Sequence, residues 1–399
     1  MKIAIYSTPA YLDTTIPLVN ELCKTEDIFL IIEYHGEQSV SIWESKNFPI
    51  NSLLLTSEAD VYNFMGKELL NLIDRKAKVT ILYYPSIKIT NPSRILSTTL
   101  LIKYLHKVKP DIIDIHGLHA VPAMPFLSPI KMIITLHDPT LHSGEEGGYG
   151  YKIHKKIAIR YADCIIVHDK KSAKVLSQQY NLAKGKIESV FLGTYSTYLH
   201  WLKPQIEEEE TVLFFGRISP YKGIEYLLKA EPLIAHKIPD LKIIIAGQGD
   251  FSVYEKMIKD KKRYEIYNHY IPNELLAQLF QRAACVVLPY TDATQSGVLM
   301  TAYAFNKPVV VSDVGGLPEV VDNGKTGFVV PPRDENSLAR AIINLLKDNH
   351  LRKQMKENIK KKSMEELSWE KIARQTLEVY KKAIHNWNVR QKSLRISSL

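Results

Sequence analysis

The sequence predicts an α/β protein of two doubly wound domains in succession, with a cleft between them. Three observations carry this. The 399 residues suit two domains at roughly 100 to 200 residues each. Short apolar runs alternate with amphipathic stretches along the chain, the mark of buried parallel strands joined by helices. The alternation breaks once, at residues 194–210, and then starts afresh.

In the first half, residues 2–6, 79–83, 112–115, 132–136 and 164–167 read as buried strands, and 17–23, 93–108 and 149–161 carry helical spacing. The break ends in Glu207, Glu208, Glu209 and Glu210 and reads as an interdomain linker. The second series has strands at 212–215, 242–246, 285–288, 309–311 and 328–330, and helices at 223–230, 274–282, about 298–305 and 335–347. Residues 369–385 form a last long helix, with apolar positions at Ile372, Ala373, Leu377, Val379 and Tyr380. In doubly wound folds ligands bind outside the carboxyl ends of the strands, so chemistry is sought in the loops after strands.

Composition narrows the class. At 45% hydrophobic and 24% charged residues the chain is an ordinary globular one, not a disordered or coiled-coil one. No apolar run approaches the ~18 residues of a membrane span, and residues 1–10 are too soon interrupted for a signal peptide. Cys23, Cys164 and Cys285 lie far apart with no Cys-x-x-Cys pair, which reads as reduced core cysteines in a cytoplasmic protein. The net charge of +9 divides into +3 for residues 1–200, −2 for 201–345 and +8 for 346–399. Arg390, Lys392 and Arg395, with the lysines at 360–362 and 381–382, either face solvent or meet anionic lipid at the inner membrane face. No basic stretch alternates with aromatics, so nucleic acid is not an expected partner.

Four loops of the second half could carry chemistry. Gly216-Arg217-Ile218-Ser219-Pro220-Tyr221-Lys222-Gly223 follows a strand and places two cations beside a helix start, a pattern that can neutralise a diphosphate. Ala246-Gly247-Gln248-Gly249-Asp250 ends the next strand and permits close backbone approach. In Pro289 to Gly297, Thr294, Gln295, Ser296 and Gly297 bring hydroxyls, an amide and free N–H groups to a helix N-terminus, an anion cradle, and Asp292 can accept hydrogen bonds from hydroxyls of a bound sugar. Gly315-Gly316-Leu317-Pro318-Glu319 is a further glycine turn after a strand. In the first half, His137-Asp138 and His116-Gly117-Leu118-His119 end adjacent strands; His137 can donate to a sugar hydroxyl or a developing charge. A metal site of His116, His119, His137 and His142 is the alternative, with no His-Glu-x-x-His motif or clustered carboxylates behind it. No Asp-x-Asp triplet, P-loop or Gly-x-Ser-x-Gly motif occurs.

These loops, in this order, resemble the retaining glycosyltransferases of family 4, the group 1 proteins of GT-B architecture. His137-Asp138 matches the family's His-Asp, and Gly216 to Gly223 its Gly-Arg-x4-Lys-Gly. Ala246 to Asp250 is similar to its Ala-Gly-x-Gly loop, and Asn306-Lys307-Pro308-Val309-Val310 with Gly315-Gly316 to Glu319 to its Gly-x-Pro-Val-Val and Gly-Gly-x-x-Glu stretch. The resemblance implies two Rossmann-like domains. Residues 1–200 would bind the acceptor, 201–367 the nucleotide-sugar donor, and 368–399 would be a helix returning to the first domain plus a basic tail.

By the same resemblance, Arg217 and Lys222 hold and stabilise the departing diphosphate, and His137 contacts the transferred sugar. Gly216, Gly247, Gly249 and Glu319 lie at the donor, as do Thr294, Gln295, Ser296 and Gly297. Thr14 and Thr15 supply hydroxyls near the phosphates, where the family has a glycine pair. The family's two glutamates, eight residues apart, fall on Ala293 and Thr301, with Asp292 one residue early. The implied activity moves a sugar from a nucleotide-diphosphate sugar to a sugar, glycolipid or other hydroxyl acceptor, without a divalent metal or other cofactor. An epimerase or hydrolase of the same fold, or an inactive nucleotide-sugar-binding scaffold, are the alternatives.

Overall fold

The computed structural model describes residues 1–35, 42, 52–85, 91–118, 120–139 and 149–396, and their side chains except those of 149, 150 and 386–396. The first half supplies β1 (Lys2–Ser7), α1 (Leu12–Leu22), β2 (Asp27–Tyr34), β3 (Leu54–Leu55), α2 (Glu58–Asn71), β4 (Lys78–Tyr83), α3 (Pro92–Val108), β5 (Ile112–His116), β6 (Lys131–Leu136), α4 (Tyr149–Tyr161), β7 (Cys164–Val167), α5 (Lys170–Gln179) and β8 (Ile187–Ser189). Its strands run in the order β3-β4-β2-β1-β5-β6-β7-β8, parallel except for β3.

The second half supplies β9 (Thr211–Phe215), α6 (Ile224–Ala235), β10 (Lys242–Ala246), α7 (Ser252–Glu255), β11 (Tyr264–Tyr267), α8 (Asn273–Arg282), β12 (Ala283–Leu288), α9 (Gly297–Ala304), β13 (Val309–Ser312), α10 (Leu317–Val320), β14 (Gly327–Val330) and α11 (Glu335–Lys347). They form a parallel sheet ordered β11-β10-β9-β12-β13-β14. Helices α12 (Asn349–Glu365) and α13 (Trp369–Ile396) follow.

The strand order switches direction between β1 and β5 in the first sheet and between β9 and β12 in the second. At such a point the loops leave toward opposite faces and open a crevice. The loops beginning at Gly216 and Pro289 leave the two strands that flank the second reversal. The central strands are buried on both faces, so they read as continuous apolar runs and not as alternating ones.

Helix α1 begins five residues before the expected position of 17, and Pro17 lies inside it. Proline has no N–H to give the carbonyl four residues back. That carbonyl, of Asp13, instead accepts from Thr197 Oγ1 at 3.4 Å. Thr197 belongs to the connecting stretch, which is therefore no free linker. Ser196–Trp201 is a 3-10 helix that buries Tyr198, and Glu208 and Glu209 pair with Lys307 and Arg282.

Helix α13 starts where expected and packs on α1. Its first residue, Trp369, fills the space over Gly193, where a Cβ would lie 2.5 Å from the indole, and Trp369 Nε1 donates to Thr194 O at 2.7 Å. Arg390, Lys392 and Arg395 lie where side chains are not described. Among the described residues no helix is long and apolar enough to cross a membrane. Cys23, Cys164 and Cys285 are buried and unbonded to one another.

Because Trp369 closes the chain back onto the first domain, Trp369→Ala is expected to cost about 3 kcal/mol. Urea denaturation checks this; an unchanged midpoint would show that the indole contributes nothing to the closure.

Candidate functional site

The loop after β9 turns at Gly223, which has φ 66°. A Cβ there would lie 1.9 Å from Pro289 O, so only glycine lets the first loop rest on the loop after β12. Lys222 is consequently aimed at that loop. Its Nζ donates to Tyr290 Oη at 2.8 Å and sits 4.0 Å from the centre of the Tyr290 ring and 5.2 Å from that of Tyr221. No ion pair to Lys222 is formed among the described residues. Burial lowers its pKa, and the Arg217 charge lowers it further, against the opposing pull of Tyr221 and of Asp138 across the cleft. Arg217 is exposed at the same mouth, its guanidinium 3.4 Å from Tyr221 Oη.

Gly247 and Gly249 stand at the head of β10, as expected, but it is the neighbouring loop that needs them bare. A Cβ on Gly247 would lie 1.9 Å from Gly216 O. The Gly216 and Ile218 N–H groups donate to Ala246 O and Gln248 O, both at 2.9 Å. The two loops are thus zipped together, and the platform beside Arg217 and Lys222 is rigid before any ligand arrives.

The third loop delivers the N-terminus of α9. Ser296 is its N-cap, with Oγ accepting from Leu299 N at 3.4 Å and lying 3.4 Å from Tyr290 Oη. Thr294 Oγ1 donates across the cleft to Asp138 Oδ1 at 3.0 Å. Gln295 Oε1 and, in the first loop, Ser219 Oγ are buried with no hydrogen-bond partner; such atoms are costly unless a ligand completes them. Gly297 lies under the Tyr195 ring, and Asp292 is half-buried in the same loop. At the position of the second family glutamate, Thr301 is buried and donates to Gly297 O of its own helix at 2.9 Å. It presents no group to a ribose.

Three of the residues expected at the donor, Thr14, Thr15 and Glu319, have partners within the protein. Thr15 is fully buried and its hydroxyl pairs with Ser7 Oγ at 2.8 Å, while Thr14 Oγ1 donates to Tyr11 O at 2.8 Å. Helix α1 turns both hydroxyls toward the neighbouring backbone and the end of β1. Glu319 is likewise already engaged. Its two carboxylate oxygens accept from Lys170 N and Lys171 N, each at 3.0 Å. These are the first N–H groups of α5, so a carboxylate of the second domain sits on the positive end of a first-domain helix.

His137 lies directly after β6, buried, its ring stacked on Tyr11 at 3.9 Å between centroids and 10° between planes. Burial, with His168 and His116 alongside, holds its pKa well below the usual imidazole value, so the ring is neutral at pH 7. His116 Nδ1 lies 3.2 Å from His137 Nε2. Among the described residues no cluster of three or more possible metal ligands occurs. His119 and His142 lie outside the described residues. The sequence reading passed over Tyr11, Tyr290, His168 and the Asp138–Thr294 bond. The strand-end positions of His168 and Asp138 were the available signal; the tyrosines gave none.

Two family models match consecutive parts of the chain: Glycosyltransferase Family 4 over residues 64–194 and Glycosyl transferases group 1 over residues 201–362. An uncharacterized glycosyltransferase of Methanocaldococcus jannaschii is 30% identical over 56% of this chain and 61% of its own length. A D-inositol 3-phosphate glycosyltransferase of Corynebacterium glutamicum is 32% identical over 45% of each. The matched region therefore spans less than two thirds of these relatives. Among solved structures, sucrose-phosphate synthase from Thermosynechococcus elongatus superposes with TM-score 0.68 at 17% identity, covering 97% of this chain and 100% of the other. Anabaena HepE, solved with UDP-glucose, gives 0.67 at 17% identity over 96% and 100%. The architecture is GT-B. The chain belongs to the group 1, family 4 glycosyltransferases.

Since Glu319 caps α5, Glu319→Ala is expected to speed amide exchange at Lys170 and Lys171 and to cost about 1 kcal/mol. Hydrogen–deuterium exchange of this segment decides it; protection equal to the parent's would mean that the carboxylate does not hold the two domains together.

Proposed function

We propose that the protein is a retaining glycosyltransferase. It moves a hexosyl group from a nucleotide-diphosphate sugar to a hydroxyl of a sugar, glycolipid or similar acceptor, without a divalent metal. The observation that carries this reading is the Lys222 ammonium, enclosed by two tyrosines and lacking an ion pair among the described residues. A half-buried cation without a counter-ion is costly, and an anionic ligand would repay that cost. Arg217 stands in the same loop as Lys222, and Ser219 Oγ of that loop and Gln295 Oε1 beside the N-terminus of α9 are buried without a partner.

When the bond from the anomeric carbon to the diphosphate breaks, charge develops on the leaving oxygen. Lys222 and Arg217 stabilise that charge more than they stabilise the ground state. Their two positive charges do at the phosphates what a divalent cation would otherwise do. His137, neutral and stacked on Tyr11, lies on the first-domain side with Asp138, where the sugar would lie. The family likeness supports retention, and HepE, a protein of this fold, was solved with UDP-glucose.

Thermal unfolding with UDP, GDP, ADP and CMP, each with magnesium or EDTA, tests the donor class. A nucleoside diphosphate at ~100 times its dissociation constant adds about 2.7 kcal/mol to the native state and is expected to do so in EDTA. Stabilisation by none of the four would remove the donor site. Lys222→Ala is expected to abolish most acceptor-dependent release of the nucleoside diphosphate. Release equally fast without acceptor would instead mark a hydrolase, and binding without any release a scaffold.

The depressed pKa of Lys222 adds a linkage. A bound diphosphate favours the ammonium and raises that pKa, so binding takes up a proton between the free and bound values. Affinity is therefore expected to fall as pH rises through the free-protein value, below the ordinary 10.5 of lysine. Calorimetry in buffers of different ionisation enthalpy reads the uptake, and Lys222→Met is expected to remove it. An identical alkaline limb in Lys222→Met would assign the proton elsewhere.

A further inference from the structure

Residues 1–200 have a net charge of only +3, yet the fold sorts that charge between the two faces of the first sheet. Helices α3, α4 and α5 and the 3-10 helix Val121–Phe126 cover one face. Leu101, Leu105, Met124, Ile159 and Leu176 from these elements share a core with alternate strand residues such as Tyr6 and Ile113. The other face is covered by α1, α2 and α13. Helices α3, α4 and α5 carry three, four and three lysines or arginines, and neither they nor the 3-10 helix contain an aspartate or glutamate. Helices α1 and α2 carry five acidic residues and one lysine, and α13 carries both signs. Lys103, Lys107, Lys152, Lys156 and Arg160 stand exposed on the basic face.

A basic face by itself is an ordinary solvated one. Here the cations are interleaved with apolar groups: of the twelve large apolar side chains exposed among the described residues, six belong to these elements, namely Ile95, Leu96, Phe126, Ile153, Tyr161 and Val175. Ile95, Leu96 and Phe126 are 58%, 52% and 63% exposed. Beside them a groove of about 420 Å³ runs between α3 and the 3-10 helix, lined by Ile95, Ile102, Pro122 and Phe126 together with Arg94 and two threonines. Exposed aliphatic and aromatic groups among cations, with no anion on the same helices, match a bilayer that has anionic headgroups. The apolar groups reach the acyl boundary while ammonium groups stay at the phosphates on their flexible stems. A nucleic acid would leave the aliphatic side chains without gain, since it binds through phosphates and stacked rings. We infer that the α3, α4 and α5 face of the first domain is a docking surface for an anionic lipid bilayer. Lipid contact was expected from the sequence in the tail; counting charge by segment hid this face, because the acids of α1 and α2 cancel it. Each of its helices starts at the carboxyl end of a strand, where the cleft opens, so a bilayer here borders the cleft.

Flotation of the full chain with lipid vesicles tests it, with no nucleotide or sugar present, so the result does not depend on the proposed transfer reaction. Binding is expected to vesicles of phosphatidylcholine mixed with phosphatidylglycerol and not to phosphatidylcholine alone, and it is expected to fall as salt is raised. Each lysine at such a surface contributes about fivefold to the partition. The variant Lys103→Gln/Lys107→Gln/Lys156→Gln is therefore expected to bind about a hundredfold more weakly. Phe126→Ser is expected to lose about tenfold by removing an inserting ring. The lysines are exposed, and circular dichroism of each variant checks that the fold is kept.

No flotation with either vesicle, or equal flotation with both, overturns the inference. So does binding that the three lysine changes leave intact but that Arg390→Gln/Lys392→Gln/Arg395→Gln abolishes, which would return the contact to the tail. A short RNA duplex bound more tightly than the vesicles, with Phe126→Ser without effect on either, would make the face a nucleic-acid surface and overturn it as well. Should Phe126→Ser disturb the 3-10 helix, Ile95→Ser on α3 replaces it and is expected to weaken vesicle binding in the same way.

Discussion

The head of the second sheet is organised around the Lys222 ammonium. Tyrosine rings and one phenol hydroxyl offset part of the cost of taking that ammonium out of water, and no ion pair does so among the described residues. Holding a cation in this condition demands rigid surroundings, and the backbone provides them. Gly223 must be left-handed for the first loop to rest on Pro289, and Gly247 must be bare for the loops after β9 and β10 to zip together. The glycines of the donor motifs serve the packing of loop on loop, and the geometry available to a diphosphate follows from that packing.

The cleft is closed by polar contacts at chain ends and helix ends. Glu319 caps α5 and Thr294 donates to Asp138. Contacts of this kind resemble a transient interface more than a domain core and can open and re-form. The Trp369 anchor differs from them. Its indole is buried over Gly193 and its N–H donates to the main chain, so α13 stays with the first domain while the polar contacts across the cleft exchange.

The central strands were legible because a strand buried on both faces must be a continuous apolar run. Where burial is partial the signal faded: β8 and β11 are edge strands with half-exposed residues, and the sequence reading passed over them. It also passed over β2, although Ile28 to Ile32 is a continuous buried run, so that omission was avoidable. Helix α1 was placed late because a proline usually marks a helix start, and only the distant Thr197 makes an internal Pro17 acceptable.

Residue types and their spacing were enough to determine two doubly wound domains, four loops at strand ends, and the likeness to a glycosyltransferase family. Periodicity and glycine placement are local properties, imposed by backbone sterics and burial, so a sequence displays them directly. Tertiary structure alone decided where each side chain points. It turned the hydroxyls of Thr14, Thr15 and Thr301 onto their own surroundings, gave Glu319 to a helix of the other domain, and joined Asp114 to Tyr380 across 266 positions of chain. Hydrogen bonds of that kind depend on distances of a few ångströms between atoms remote in sequence, and no local pattern encodes them.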